Sequence, residues 1–155
     1  MQLEKYYNIT YLVVSLVFLS PLIGYVASAA ANNLIHIHFG QRGVAFIGPG
    51  CQLIAYVVIA LHPPYPVLVL VFIIAGFGNG LLDAGWNAYV GNFANANEVL
   101  GFLHGFYGLG AVLSPLIATT MITKAGFMWY SFYYIMVRVL LPWLFVVQWL
   151  ILAFL

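Results

Sequence analysis

The 155-residue chain has very few charged side chains. Four Lys/Arg and three Asp/Glu make up 5% of the residues, whereas a soluble domain carries about 25%. Hydrophobic residues make up 65%, and the mean hydropathy is +1.07. So little polar surface cannot coat a water-soluble globule of this size. The composition therefore excludes a soluble enzyme and predicts that the chain is surrounded by lipid.

Cysteine and clusters of basic residues are also scarce. Cys51 is the one cysteine, so no disulfide can form within the chain. The net charge is +1 without a basic run, so we expect no nucleic-acid partner. His36 and His38 have no third ligand nearby in the sequence, so we expect neither a metal site nor a cofactor.

Long apolar runs are abundant, and they predict an all-α fold, a multi-pass bundle of transmembrane helices. About 20 apolar residues span a bilayer as a helix. Polar residues and Pro/Gly clusters divide the chain into five such segments, 11–35, 44–61, 67–93, 99–122 and 132–155. The short connections predict antiparallel neighbours within one membrane domain. The last segment reaches Leu155 without a polar tail, so we expect the sequence to be part of a longer protein.

Asp83 is the candidate functional residue of the third segment. A carboxylate near the middle of a membrane costs about 3 kcal/mol on insertion scales, so such residues usually face an interior cavity. Asn79 and Asn87 stand four residues before and after Asp83, on the same helix face. We expect Asp83 to take up a proton and the amides to bind a polar solute. The alternative is that Asp83 only bonds a neighbouring helix.

Further candidates lie on the third and fourth segments. Trp86 could line a site for a ring-like solute or could simply pack. His104 could bind solute or a proton, or could be a packing residue. Small residues let membrane helices approach closely, which predicts that the fourth segment packs on the third. The residues assigned to this packing are Gly101, Gly105, Gly108, Gly110 and Pro115. Counting from the turn, Gly108 and Gly110 should lie level with Asp83.

Three stretches resemble the major facilitator superfamily of transporters. Phe39-Gly40-Gln41-Arg42 resembles the second half of the motif between the second and third helices of that family. The stretch 76–89, with its GFGNGLLDAGWNAY sequence, is similar to the fourth helix of the fucose permease-like branch, including fungal sugar-transporter-like members. The stretch 103–115 resembles the fifth helix of the same branch.

The resemblance implies that the five segments are helices two to six of a twelve-helix transporter. It implies a cytosolic loop that contains Gly40 and Arg42, proton coupling through Asp83 and solute contact through Asn87. Transporters of this kind place the solute between two halves. The partners implied are the lipid bilayer, a small solute and a proton, with the plasma membrane as the expected location.

Three functions remain open at this point. The first is proton-coupled transport of a small, polar, sugar-like solute by a transporter of which this chain is a truncated part. The second is a non-transporting membrane protein that packs against or regulates a full-length homologue. The third is an intramembrane enzyme using Asp83 and His104, but no nucleophile with an oriented base is visible in the sequence, and we therefore predict that the chain is not an enzyme.

Overall fold

The structure is a computed structural model that describes the backbone of residues 2–154 and the side chains of residues 2–146 and 149. This part of the chain is helical without strands, which confirms the all-α prediction. The helices are α1 (Gln2–Tyr7), α2 (Tyr11–Ala60), α3 (Tyr65–Val90), α4 (Ala96–Thr123) and α5 (Ser131–Phe154). By length and composition α2, α3 and α4 can each cross a membrane, and α5 contains the shorter apolar stretch Ser131–Val146.

Helix α2 consists of two arms, 11–39 and 41–60, separated by Gly40. Gly40 has φ 63° and ψ −165°, a conformation that side chains with a Cβ rarely adopt. Arm 11–39 runs parallel to α3. Pro21 approaches Gly76, and Ser28, which is further along the arm, approaches Gly80, which is further along α3. Arm 41–60 runs the opposite way, because Val44 contacts Gly85 and Gly48 approaches Gly78. The chain therefore reverses at Gly40, and each arm is long enough to be a separate span.

The sequence predicts a loop over 36–43 at this reversal, whereas the structure has helical backbone on both sides of Gly40. At the next connection the turn is short because Pro63 and Pro64 cannot continue a helix, and α3 starts at Tyr65 with a proline in its first turn. Whether the helices cross a bilayer as the five predicted segments stays a prediction.

Glycines on α2 and α3 let these two helices approach within backbone contact. A Cβ added at Gly24 would lie 1.9 Å from the carbonyl oxygen of Ile73, and one at Gly76 would lie 2.0 Å from that of Pro21. No side chain fits at either position. Beside this contact, both arms of α2 and α3 form an apolar core. Its fully buried residues include Val14, Ile59, Leu68 and Leu81.

Helix α4 buries none of its side chains in the described part of the chain. A Cβ added at Gly101, Gly105, Gly108 or Gly110 would have nothing within 4 Å, and Pro115 is exposed. The expected packing of these residues on α3 is therefore absent here. The physical reason is that the glycines of α3 already contact α2, which occupies the face they offer.

Aromatic side chains join three separate segments at one end of the bundle. The Tyr6 ring lies 6.5 Å from that of His62 and 5.9 Å from that of Trp129, centroid to centroid. The Tyr7 hydroxyl donates to the carbonyl oxygen of Pro63 at 2.6 Å. The N-terminal helix, the 61–64 turn and the 124–130 connection therefore share one end, as the antiparallel order predicts.

Candidate functional site

Asp83 lies on the exposed side of α3, and both of its carboxylate oxygens accept a hydrogen bond. The Tyr25 hydroxyl, from arm 11–39 of α2, donates to Oδ2. The Asn87 amide nitrogen donates to Oδ1 at 2.9 Å and also to the Asp83 carbonyl oxygen at 2.8 Å. The acid is therefore held between two helices.

Asn79, one turn before Asp83, pairs with α2 as well. The Gln52 amide nitrogen donates to Asn79 Oδ1 at 2.5 Å. Gln52 belongs to arm 41–60, whereas Tyr25 belongs to arm 11–39, so the polar face of α3 bonds both arms of α2. Amide pairs of this kind hold helices together where water is scarce.

A cavity of about 430 Å³ opens beside Asp83 between α2, α3 and α4. This volume lies within the range of sites for small molecules. The lining residues are Tyr25, Asn79, Leu82, Asp83, Trp86, Leu103, His104 and Tyr107. The structure therefore brings together Asp83, Asn79, Trp86 and His104, four of the residues that the sequence singles out as proton and solute contacts.

Neither Asn87 nor the α4 glycines line the cavity, although the sequence predicts that they lie beside a solute at Asp83. Asn87 donates to Asp83 but is not among the residues that line the cavity, so its contact with a solute stays a prediction. The residues of α4 beside Asp83 are His104 and Tyr107 rather than Gly108 or Gly110. His104 and Tyr107 are three residues apart and share a helix face, whereas a Cβ added at Gly108 or Gly110 would have nothing within 4 Å.

Trp86 separates the polar cavity from a second, apolar cavity. This second cavity, of about 410 Å³, lies between arm 41–60, α3 and α5, and it shares Leu82 and Trp86 with the first. The indole therefore forms a wall between the two spaces. An aromatic face in this position can stack on a ring-shaped solute.

Gly40 and Arg42 lie near the C-terminal end of α3 and are not among the residues that line this cavity. The neighbouring Gln41 donates from its amide nitrogen to the Gly85 carbonyl oxygen at 2.9 Å, and Arg42 is exposed. Their predicted role in a cytosolic loop motif stays a prediction.

Sequence reasoning missed Tyr25 and Gln52. Each bonds a residue of α3 that is distant along the chain, 58 and 27 residues away, so no local spacing reveals the contact. One signal was present: Gly24 and Gly80, which bring Tyr25 close to α3, are small residues within apolar helices. In the part of the chain that the structure describes, no three His, Cys, Asp or Glu side chains could hold a metal ion.

The fold and the site define an integral membrane protein with a polar cavity between apolar helices. Comparison with protein families matches residues 1–153 to the Major Facilitator Superfamily. The chain is also similar to bypass of stop codon protein 6 of Saccharomyces cerevisiae, with 32% identity over 115 residues. That match covers 73% of this chain but 23% of the yeast protein. Comparison with solved structures gives no match.

The chain belongs to the Major Facilitator Superfamily, a superfamily of membrane transporters.

Proposed function

We propose that this chain is part of a proton-coupled secondary transporter for a small, polar, sugar-like solute in the plasma membrane. The observation that carries the proposal is the cavity that Asp83 shares with Asn79, Trp86 and His104. A carboxylate in such a cavity can exchange a proton with solvent while remaining among apolar helices. Amide and imidazole groups can bond hydroxyls, and the Trp86 indole offers a flat face to a ring.

In this proposal Asp83 carries the coupling proton, and Asn79, Asn87, Trp86 and His104 contact the solute. The sugar-like class rests on the combination of neutral amides with an aromatic wall, which suits a ring with several hydroxyls. The chain spans about a quarter of the yeast relative, so we place the rest of the solute site on a second half of the transporter, outside this sequence.

The test is uptake of a panel of labelled sugars and polyols into proteoliposomes that hold the transporter containing this chain. An imposed pH gradient, acidic outside, drives the uptake. We expect Asp83→Asn to abolish gradient-driven accumulation while solute exchange without a gradient persists. Glu98→Gln is the matched control, because it also removes one carboxylate but lies outside the cavity lining. Full proton-driven uptake by Asp83→Asn contradicts the proposal.

A second candidate function is that of a non-transporting chain which packs against a full-length homologue. The observation that favours it is the exposed apolar surface of α4, where Phe102 and Phe106 are each 71% exposed. Expression of the chain alone separates the two candidates. Gradient-driven uptake by the isolated chain excludes the second candidate, whereas absent uptake with co-purification of a co-expressed homologue supports it.

A further inference from the structure

A third cavity adjoins the cavity beside Asp83, towards the N-terminal end of α3. Its volume is about 250 Å³, and we call it the hydroxyl cavity because the hydroxyl-bearing side chains of Tyr56, Ser114 and Tyr133 line it. Asn79 lines this cavity as well as the first one. The two spaces therefore adjoin at the Asn79 side chain.

The two cavities follow one another along the bundle. On α3 the hydroxyl cavity reaches Phe72, seven residues before Asn79, and on α4 it reaches Ser114, seven residues after Tyr107 of the first cavity. Seven helical residues correspond to about 10 Å along a helix axis. A solute that occupies both cavities is therefore longer than a single sugar ring.

The hydroxyl groups of Tyr56, Ser114 and Tyr133 donate to no atom of the described residues. All three side chains are half-buried. By contrast, the hydroxyls of Ser20 and Ser28 donate to the carbonyl oxygen three residues earlier in their helix. Because polar groups in such surroundings normally have a partner, the three hydroxyls are available to a ligand that carries hydroxyls of its own.

Aromatic rings form much of the remaining wall of the hydroxyl cavity. The Tyr133 ring lies 6.3 Å from that of Phe72 and 5.7 Å from that of Tyr56, centroid to centroid, and Phe132 also lines the space. None of the described lining residues is charged. Aromatic faces next to a few hydroxyl and amide groups suit a neutral ring with several hydroxyls, which is the solute chemistry of the first cavity as well.

We infer that the hydroxyl cavity is a second sugar subsite, so that the solute is a disaccharide or a similar compound of two linked, hydroxylated rings. The inference rests on the proposed function. One ring lies beside Asp83 and Trp86, and the second ring bonds the hydroxyls of Ser114 and Tyr133. The Asn79 oxygen accepts from Gln52, whereas its amide nitrogen donates to no described residue and can donate to the oxygen that links the rings.

The test is saturation-transfer NMR on the transporter that contains this chain, held in lipid nanodiscs. The probes are two pairs of sugars, glucose with maltose and galactose with lactose. The spectra report which protons of a sugar contact the protein, and titration gives the Kd. We expect both rings of the disaccharide in the pair that binds to receive saturation, and we expect the disaccharide to bind more tightly than its monosaccharide.

We expect Tyr133→Phe to weaken disaccharide binding about fivefold, the effect of one lost neutral hydrogen bond, and to leave monosaccharide binding unchanged. Tyr134→Phe is the matched control, because Tyr134 neighbours Tyr133 in the chain but lines neither cavity. As a second variant, Ser114→Leu fills the hydroxyl cavity and should remove the saturation of one ring. Its control is Thr119→Leu, on an exposed part of α4 outside both linings.

Saturation of a single ring in the wild type overturns the inference, as does an equal effect of Tyr133→Phe on both sugars of a pair. Saturation of both rings in Ser114→Leu overturns it too. In each of these cases a monosaccharide still binds, so the proposed function stands. Absence of saturation in all four sugars contradicts the sugar-like class and the subsite together, whereas retained proton-driven uptake by Asp83→Asn contradicts the coupling role of Asp83 alone.

Discussion

The ionisation of Tyr7 makes the stability of the fold depend on pH. Burial, and secondarily the neighbouring Tyr6, raises the pKa of Tyr7 to about 12, above the usual phenol value of about 10. Between pH 10 and 12 the unfolded chain loses this proton while the folded chain keeps it. The free energy of unfolding therefore falls as the pH rises through this window, and the stabilisation is complete below pH 10.

We predict that Tyr7→Phe lowers the stability below pH 10 and flattens its decline between pH 10 and 12. The lower stability follows from the lost bond to the Pro63 carbonyl, worth about 1 kcal/mol, and the flatter decline follows from the lost titration. Thermal unfolding in detergent at a series of pH values measures both effects. Tyr6→Phe is the control at neutral pH, since its hydroxyl bonds no described residue, and equal losses in the two variants would contradict the role of the Pro63 bond.

The polar residues of the site were predictable from the sequence only where they share a helix. Asp83 and Asn87 stand four residues apart on α3, and the structure joins them as helical spacing requires. Tyr25 and Gln52 reach α3 from the two arms of α2. Their contacts depend on how far α2 rotates and slides along α3, which no local pattern in the sequence specifies.

At the scale of helices, the all-helical fold was predictable, but the partner of each small-residue face was not. The sequence shows glycines on both α3 and α4, and it predicts that the two faces meet. In the structure Gly76 and Gly80 contact α2 instead. Small residues let any neighbouring helix approach closely. Their presence therefore predicts a helix contact but does not specify which helix makes it.

The two glycine faces provide a matched pair of variants. We predict that Gly76→Ala destabilises the chain by about 1–3 kcal/mol, because the new methyl group would lie 2.0 Å from the Pro21 carbonyl oxygen and must push α2 away. Gly105→Ala should leave the stability equal or raise it, since the added methyl meets nothing within 4 Å and alanine favours the helix by about 1 kcal/mol. Melting temperatures in detergent test both variants. Equal destabilisation of the two would contradict the close contact of Gly76 with α2.

At the scale of the whole molecule, the packing of the helices fixes which connections lie at the same end of the bundle. The aromatic contacts of Tyr6 with His62 and Trp129 put the N-terminal helix and the 124–130 connection at one end. Gln41, which bonds Gly85 near the other end of α3, puts the Gly40 reversal at the opposite end. Charge alone could not settle this arrangement, because Lys5 and Lys124 lie at one end and Arg42 at the other.

Cysteine labelling in intact cells tests this topology without changing any charge. In a Cys51→Ser background, single cysteines replace the exposed residues Gln2, Phe39 and Ala125. We predict that Gln2→Cys and Ala125→Cys react with a membrane-impermeant maleimide from outside, whereas Phe39→Cys reacts only after the membrane is permeabilised. The first two react alike because their segments share an end, and the resemblance to the transporter motif places Phe39 in the cytosol. Labelling of Phe39→Cys from outside, together with Ala125→Cys, would contradict the prediction that arms 11–39 and 41–60 are separate spans, because each arm would then have to begin and end on one side of the bilayer.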